Sequence, residues 1–382
     1  MFEYFPKNYV WNISVNLAIE AGARIGEIDE MCRPLRELPM GDESTQQFFA
    51  AWKGMADKLA DLASEDIAKD RPLSAGSKLN RAAIYYLTAE RMQAHDFEPR
   101  RVAYDRGVSA FHQGRLLSAA NYERVTIPYQ GQSLAGIFIK AEAGDRPAPV
   151  LVQINGLDSF KELIYWVGVP SELARRGVSS LLVDQPGSGE ALRLNKLTAR
   201  YDSEIWASAI VDYLETRKDV DHRRIGLHGV SLGGYYAPRA VAFEPRFALG
   251  AVWGANHNWG EVQKRRLARE GDRPIPHYWD HVRWVWGADD MDQFMSIAQK
   301  VTLDGVLDRI KVPFLVTHGQ NDRQIPLEYA HQTYDQLVNS PQRELKIFTP
   351  REGGVEHSSL DNSANSGDFI ADWVAETFKR LA

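Results

Sequence analysis

Twelve consecutive residues constrain this chain more than any other stretch: Arg224-Ile225-Gly226-Leu227-His228-Gly229-Val230-Ser231-Leu232-Gly233-Gly234-Tyr235. Residues 225–228 read as a short apolar strand, the glycines frame a turn at Ser231, and a helix follows. A G-x-S-x-G pattern between a strand and a helix is a nucleophile elbow. The turn forces the serine into a strained backbone conformation. Side chains two residues to either side would collide with the neighbouring helix and strand, so glycine is expected at 229 and 233. Five-residue patterns with two glycines also occur in ordinary loops, so the weight rests on this context and on the partners found elsewhere.

A serine hydroxyl is a weak nucleophile until a base takes its proton, and the base needs an orienting carboxylate. After an elbow of this kind the partners follow in the order serine, acid, histidine. Asp322 comes just after the apolar run 313–318, and His357 lies in the loop after the run 345–348. Asp184, after the run 178–183, is the rival acid but precedes the serine. His228 and His318 lie in strands and read as structural, His331 lies inside a helix, and His257, His277 and His281 precede the acid. The second requirement is a pair of N–H donors for the oxyanion. Leu232 supplies one, and the loop Asn155-Gly156-Leu157-Asp158-Ser159 supplies the other through Leu157, with Gly156 letting the backbone approach closely.

The rest of the chain arranges itself around the elbow. Residues 1–120 read as helical, with apolar residues at helical spacing in Trp11, Val15, Ala18 and Ile19, in Phe48, Phe49, Trp52, Met55, Leu59 and Leu62, and in a third helix over 79–93. Pro34, Pro39 and Pro72 mark breaks. Residues 121–382 read as the catalytic domain. A hairpin over 125–140 is followed by strands at 150–154, 178–183, 225–228, 249–253, 313–318 and 345–348. Helices lie between them at 163–175, 202–216 and 329–337, with a last one at 368–381. That alternation implies an α/β fold with a mostly parallel, eight-stranded sheet flanked by helices. Residues 254–305, rich in tryptophan and histidine, break the rhythm and read as a helical cap insertion.

Composition excludes several classes. At 382 residues, with 44% hydrophobic and 25% charged residues and a net charge of −6, the chain is an ordinary globular protein without the basic stripe that nucleic acid requires. No apolar run approaches the ~18 residues of a membrane helix, and the first residues lack a signal-peptide pattern. Cys32 is the only cysteine, so no intrachain disulfide forms, which suits a cytoplasmic location. The scattered histidines match no metal-ligand spacing. Pro186-Gly187-Ser188-Gly189-Glu190 is a turn near the site rim rather than a phosphate loop, since it lacks the G-K-[ST] ending. No cofactor and no metal are expected.

Several motifs together carry a resemblance. They are Asn155-Gly156-Leu157-Asp158-Ser159 with Lys161-Glu162, then Asp184-Gln185-Pro186-Gly187-Ser188-Gly189-Glu190, then Gly229 to Arg239. His318-Gly319 with Asp322, Glu356-His357, Tyr4-Phe5-Pro6 and Gly22 to Glu27 complete them. On these the chain resembles the α/β-hydrolase group that contains 2,6-dihydroxypseudooxynicotine hydrolase and the fungal hydrolase that shortens the yellowish-green polyketide. The resemblance implies hydrolysis of a carbon–carbon bond next to a ketone, an N-terminal helical region covering the active site, and a homodimer. It also implies an auxiliary acid after the sixth strand, for which Glu261 is the nearest candidate. Gly156, Asp158 and Lys161, with His257 and His281 in the inserted segment, are further candidates for substrate or auxiliary roles. A carboxylesterase acting on bulky aromatic esters uses the same three residues and stays open, as does a regulatory binding role in which the serine is idle.

Overall fold

The computed structural model of the chain describes every residue but 7, 39, 40, 143, 145 and 270–274, and all but the side chain of residue 43. Pro39 therefore lies outside the described residues. The chain divides into two compact units: Met1–Tyr122 with a return segment ending at His281, and the remainder.

The first unit is helical: α1 (Tyr9–Glu20), α2 (Ile25–Cys32), α3 (Thr45–Ala68), α4 (Pro72–Arg91) and α5 (Glu98–Leu117). Asn8 starts α1 by accepting the Trp11 N–H at 3.0 Å, so one orphan donor of the first turn is satisfied. The break expected at Pro72 falls between α3 and α4, and Pro72 itself opens α4, because at the first helical position its missing N–H costs nothing. The core is a row of rings in which Trp11 meets Phe48 at 5.0 Å, Phe48 meets Trp52 at 5.2 Å and Trp52 meets Tyr85 at 5.7 Å. The return segment belongs here through His277, whose Nε2 lies 3.1 Å from Thr45 Oγ1 and whose N–H reaches Asp42 at 3.2 Å.

The second unit is built on strands. In chain order it holds β1 (Glu123–Tyr129), β2 (Gln132–Ile139), β3 (Ala148–Ile154), α6 (Lys161–Val167), α7 (Pro170–Arg175), β4 (Ser179–Val183), α8 (Gly189–Arg193) and α9 (Glu204–Glu215). Next come β5 (Val220–Val230), α10 (Gly233–Phe243), β6 (Phe247–Trp253), α11 (Trp259–Leu267), α12 (Tyr278–Trp286), whose first turn lies in the return segment, and α13 (Met291–Ala298). The chain closes with β7 (Phe314–Gly319), α14 (Glu328–Gln336), β8 (Arg343–Phe348) and α15 (Ala364–Arg380). The eight strands form one sheet in the order β1-β2-β4-β3-β5-β6-β7-β8. The β1–β2 and β2–β4 pairs are antiparallel and all others parallel.

Every residue of β3 and β4 is buried, as expected of strands covered on both faces. A β-carbon on Gly226 would press on Leu249 and on Phe378 of α15, whereas one on Gly250 would press on Phe314 and on Val241 of α10. Leu249 and Gly250 point to opposite faces, so α15 and α10 cover opposite sides of the sheet. Leu249, Ala251, Trp253, Ile370, Val374 and Phe378 form one continuous core under α15. Two expected elements differ. The single helix over 163–175 is two, because Pro170 starts a new helix at its own first position. The turn at 186–190 leads directly into α8. Between β6 and β7 the described residues carry three α-helices, a short 3-10 turn at Leu307–Arg309 and an isolated bridge from Asn258 to Thr302, with no strand of the sheet.

Candidate active site

Ser231 follows the last residue of β5 and precedes α10, at φ +60°. A serine in the left-handed region is strained, and neighbouring close approaches hold it there. A β-carbon on Gly229 would stand 2.0 Å from the Gly233 carbonyl oxygen, and one on Gly234 would stand 2.0 Å from the Gly254 carbonyl oxygen. On Gly233 it would meet nothing closer than the Asn155 carbonyl at 3.2 Å. The collision anticipated at Gly233 thus falls one residue later, at Gly234. The Ser231 N–H donates to Trp253 O at 2.9 Å, which ties the turn to the end of β6.

The acid and the histidine reach the serine from the ends of β7 and β8. Ser231 Oγ lies 2.8 Å from His357 Nε2, and His357 Nδ1 lies 2.8 Å from Asp322 Oδ2. Asp322 Oδ1 accepts the N–H groups of Gln324 at 2.7 Å and Ile325 at 2.9 Å. Burial alone would push the Asp322 carboxyl up. The His357 ring, then His318 and the Ile325 N–H outweigh it and hold the group below the usual carboxylate range. His318 lies 3.7 Å from Asp322 Oδ2, accepts the Ala255 N–H at Nδ1 and meets the Ile325 carbonyl through Nε2 at 3.1 Å. That pattern makes it a neutral ring that braces the acid loop, and burial lowers its pKa. The acid loop is tied to the histidine loop by the Asn321 N–H to Val355 O bond at 2.8 Å. Ser358 and Ser359 continue from His357 with φ +48° and +55°, and the Trp253 indole N–H donates to Ser359 Oγ at 3.1 Å.

The loop after β3 closes over the elbow. A β-carbon on Gly156 would stand 2.9 Å from Ser231 Cβ and 3.2 Å from its Oγ, so only glycine fits there. The Gly156 N–H donates to Ser159 Oγ at 3.1 Å, and Ser159 Oγ donates to Asn155 Oδ1 at 3.0 Å. Leu157 and Asp158 are the half-buried tip between them. Leu232 is the N-cap of α10, so its N–H is one of the donors that a helix start leaves without an intrahelical acceptor.

Lys161 opens α6 completely buried, and its Nζ lies 2.9 Å from Asp184, 2.6 Å from Glu190 and 2.7 Å from Glu162. Burial pushes the Glu162 carboxyl up to about 7, with Lys161 opposing the rise and Asp184 adding to it. Asp184, the rival acid, is thereby committed to Lys161 and to the backbone of Glu190. Sequence reasoning reaches this group only in part: it marks Lys161 and Asp184 separately and gives Glu162 and Glu190 no role. The missing information is lateral: Asn155 and Asp184 each follow one of two strands that pair only in the folded sheet.

Two of the remaining candidates are held by other partners. His257 is buried, with Nδ1 on Thr333 at 3.2 Å and Nε2 on Asp304 at 3.1 Å, so its ring is held by packing partners. Glu261 sits on the first turn of α11, is 38% exposed and bonds Arg265 at 3.2 Å. Among the described residues neither is hydrogen-bonded to Ser231, His357 or Asp322. His281 is a buried residue of the return segment.

A hydroxyl, an imidazole and a buried carboxylate in one hydrogen-bonded row can pass a proton from the hydroxyl and return it to a leaving group. Fold and site together define an α/β-fold hydrolase. The chain belongs to the prolyl oligopeptidase family, whose sequence model matches residues 171–380, and the esterase FrsA-like family matches residues 54–255. Among relatives, hydrolase ORFZ of Pyricularia oryzae is 30% identical over 387 residues, covering 89% of each chain. The 2,6-dihydropseudooxynicotine hydrolase of Paenarthrobacter nicotinovorans is 26% identical over 331 residues, covering 86% of this chain and 83% of that one. The crystal structure of a 2,6-dihydroxy-pseudo-oxynicotine hydrolase shares the fold, with a TM-score of 0.77 at 23% identity over 95% of each chain.

Proposed function

We propose that the protein is a serine hydrolase that cleaves a carbon–carbon bond next to a ketone, with a β-diketone or polyketide-like aromatic substrate. Ser231 Oγ adds to the carbonyl carbon while His357 takes its proton, and the carbonyl oxygen becomes an oxyanion received by the N–H groups of Leu157 and Leu232. Collapse of the tetrahedral intermediate breaks the C–C bond, its electron pair leaves on the neighbouring carbon as an enolate, and His357 returns the proton to that carbon. Water then attacks the acyl group on Ser231 with His357 again as base, releasing a carboxylic acid and free serine. Asp322 orients the ring and stabilises its charged form.

The observation that carries this reading is the pair of 2.8 Å contacts from Ser231 to His357 and from His357 to Asp322. The hydrolase that acts on a pseudooxynicotine among the relatives supports the carbon–carbon assignment. A carboxylesterase is the second reading, favoured by the match to the esterase FrsA-like family. The test is kcat/KM on aryl β-diketones beside matched aryl esters. Diketones are expected to be preferred. A preference for esters of ~100-fold, about 2.7 kcal/mol in transition-state binding, would replace the proposal by the esterase reading. Because Glu261 is half-buried and paired with Arg265, Glu261→Gln is expected to change both reactions by less than about threefold.

A further inference from the structure

Resting on that reading of Ser231 and Leu157, we infer that Asp184 and Lys161 form a clasp that positions the oxyanion loop, holding its two ends so that the Leu157 amide faces the reacting carbonyl. The loop runs from Asn155 to Lys161, and both ends are fastened to the residues just after β4. At the near end, the Asn155 N–H donates to Gln185 Oε1 at 3.1 Å and Gln185 Nε2 donates back to Asn155 O at 3.0 Å. Asn155 Nδ2 donates to Val183 O at 2.8 Å and to Asp184 Oδ1 at 3.3 Å. At the far end, the Lys161 N–H donates to the same Asp184 Oδ1 at 2.7 Å, and Lys161 Nζ donates to Asp184 Oδ2 at 2.9 Å. One carboxylate thus joins the first and last residues of the loop, and the Glu190 N–H at 2.9 Å fixes that carboxylate in turn.

Sheet register makes this possible. Ile154 and Val183 are partners in β3 and β4, so the residues that follow them emerge side by side. The cost of the clasp is charge burial. Asp184, Glu162 and Glu190 surround one lysine, and Arg124 adds a second cation at Glu190, at 3.0 Å. Two cations thus face three carboxylates, and burial raises the Glu162 carboxyl against the pull of Lys161. A buried polar group of this size is costly to keep for packing alone. The group meets the site through the short loop it closes, whose Gly156 lies against Ser231.

The experiment compares the full-length wild type with Lys161→Met, Asp184→Asn and the milder Asn155→Ala, using a chromogenic aryl ester and an aryl trifluoromethyl ketone, which adds to serine as a tetrahedral oxyanion. The expected result is a fall in kcat of tenfold or more with KM within about threefold, and a parallel loss of affinity for the trifluoromethyl ketone, since an oxyanion donor acts in the transition state alone. The pH dependence of kcat/KM should keep its wild-type inflections, which a proton-relaying Asp184 would move. Variants that fold as the wild type and keep kcat within twofold would overturn the clasp, as would proportional losses in kcat and KM. If Lys161→Met or Asp184→Asn does not fold, Asn155→Ala alone carries the test, on the same criteria. A fluorophosphonate probe that leaves wild-type Ser231 unlabelled would overturn the hydrolase reading itself, a failure distinct from that of the clasp.

Discussion

In the proposed mechanism two residues set the reactivity of Ser231: His357, which contacts it, and Asp322, which reaches it only through the histidine. Ser231→Ala, His357→Ala and Asp322→Asn are each expected to lower kcat by on the order of 10³-fold or more with the fold intact. The triple variant is expected to be little worse than the worst single one, because the three act as a unit. Steady-state kinetics on one substrate decides this, and additive losses would contradict it. Three residues before the serine, His228 presents a different case. It is fully buried on β5, and neither ring nitrogen has a hydrogen-bond partner among the described residues. Burial drops its pKa from 6.5 to about 4, so between these values the unfolded chain binds the proton and the folded one does not. Stability therefore rises with pH through that window and is lost as pH falls from 6.5 toward 4, by on the order of 3 kcal/mol in all. His228→Leu should flatten that slope in denaturant titrations at pH 5 and 7, and an unchanged slope would contradict the assignment.

At the scale of elements, the elbow separates stability from catalysis. Gly234→Ala forces a β-carbon onto the Gly254 carbonyl and is expected to lower the melting temperature clearly, with a cost of about 1–3 kcal/mol. Gly233→Ala only presses on the Asn155 carbonyl, at the root of the loop proposed to hold the oxyanion, so it is expected to reduce kcat several-fold with little change in melting temperature. Comparable melting losses in both would contradict this division. The strands were legible because buried parallel strands are short apolar runs, and Ser231, Asp322 and His357 were legible because each follows such a run. What was hidden depends on lateral neighbours. Sequence spacing does not reveal that the residues after β3 and β4 meet, so Asp184 read as a rival acid and Lys161 as a substrate residue. The histidines and Glu261 of 254–305 drew attention by type alone, while the partners that occupy them, Thr333, Asp304 and Arg265, lie far along the chain or on the same helix face.

For the whole molecule, the return segment is informative. The first unit is not a detachable N-terminal module, since residues ending at His281 pack within it and Tyr278 is buried to 1% exposure. Deleting residues 1–122 removes Thr45 and Asp42 from His277 and strips the surroundings of Tyr278. The truncated chain is expected to aggregate or to lose activity, and a soluble, fully active fragment would contradict that. The homodimer implied by the resemblance remains a proposal, for which light scattering should return a mass near twice 43.1 kDa.

The most direct test of the central claim is where a fluorophosphonate attaches. Mapped by mass spectrometry, the adduct is expected on Ser231 alone, forming rapidly in the wild type and about 10³-fold or more slowly in His357→Ala. Ser358 and Ser359 stand beside His357 in the same left-handed turn and provide an internal control. An adduct on either of them, or none on Ser231, would contradict the account.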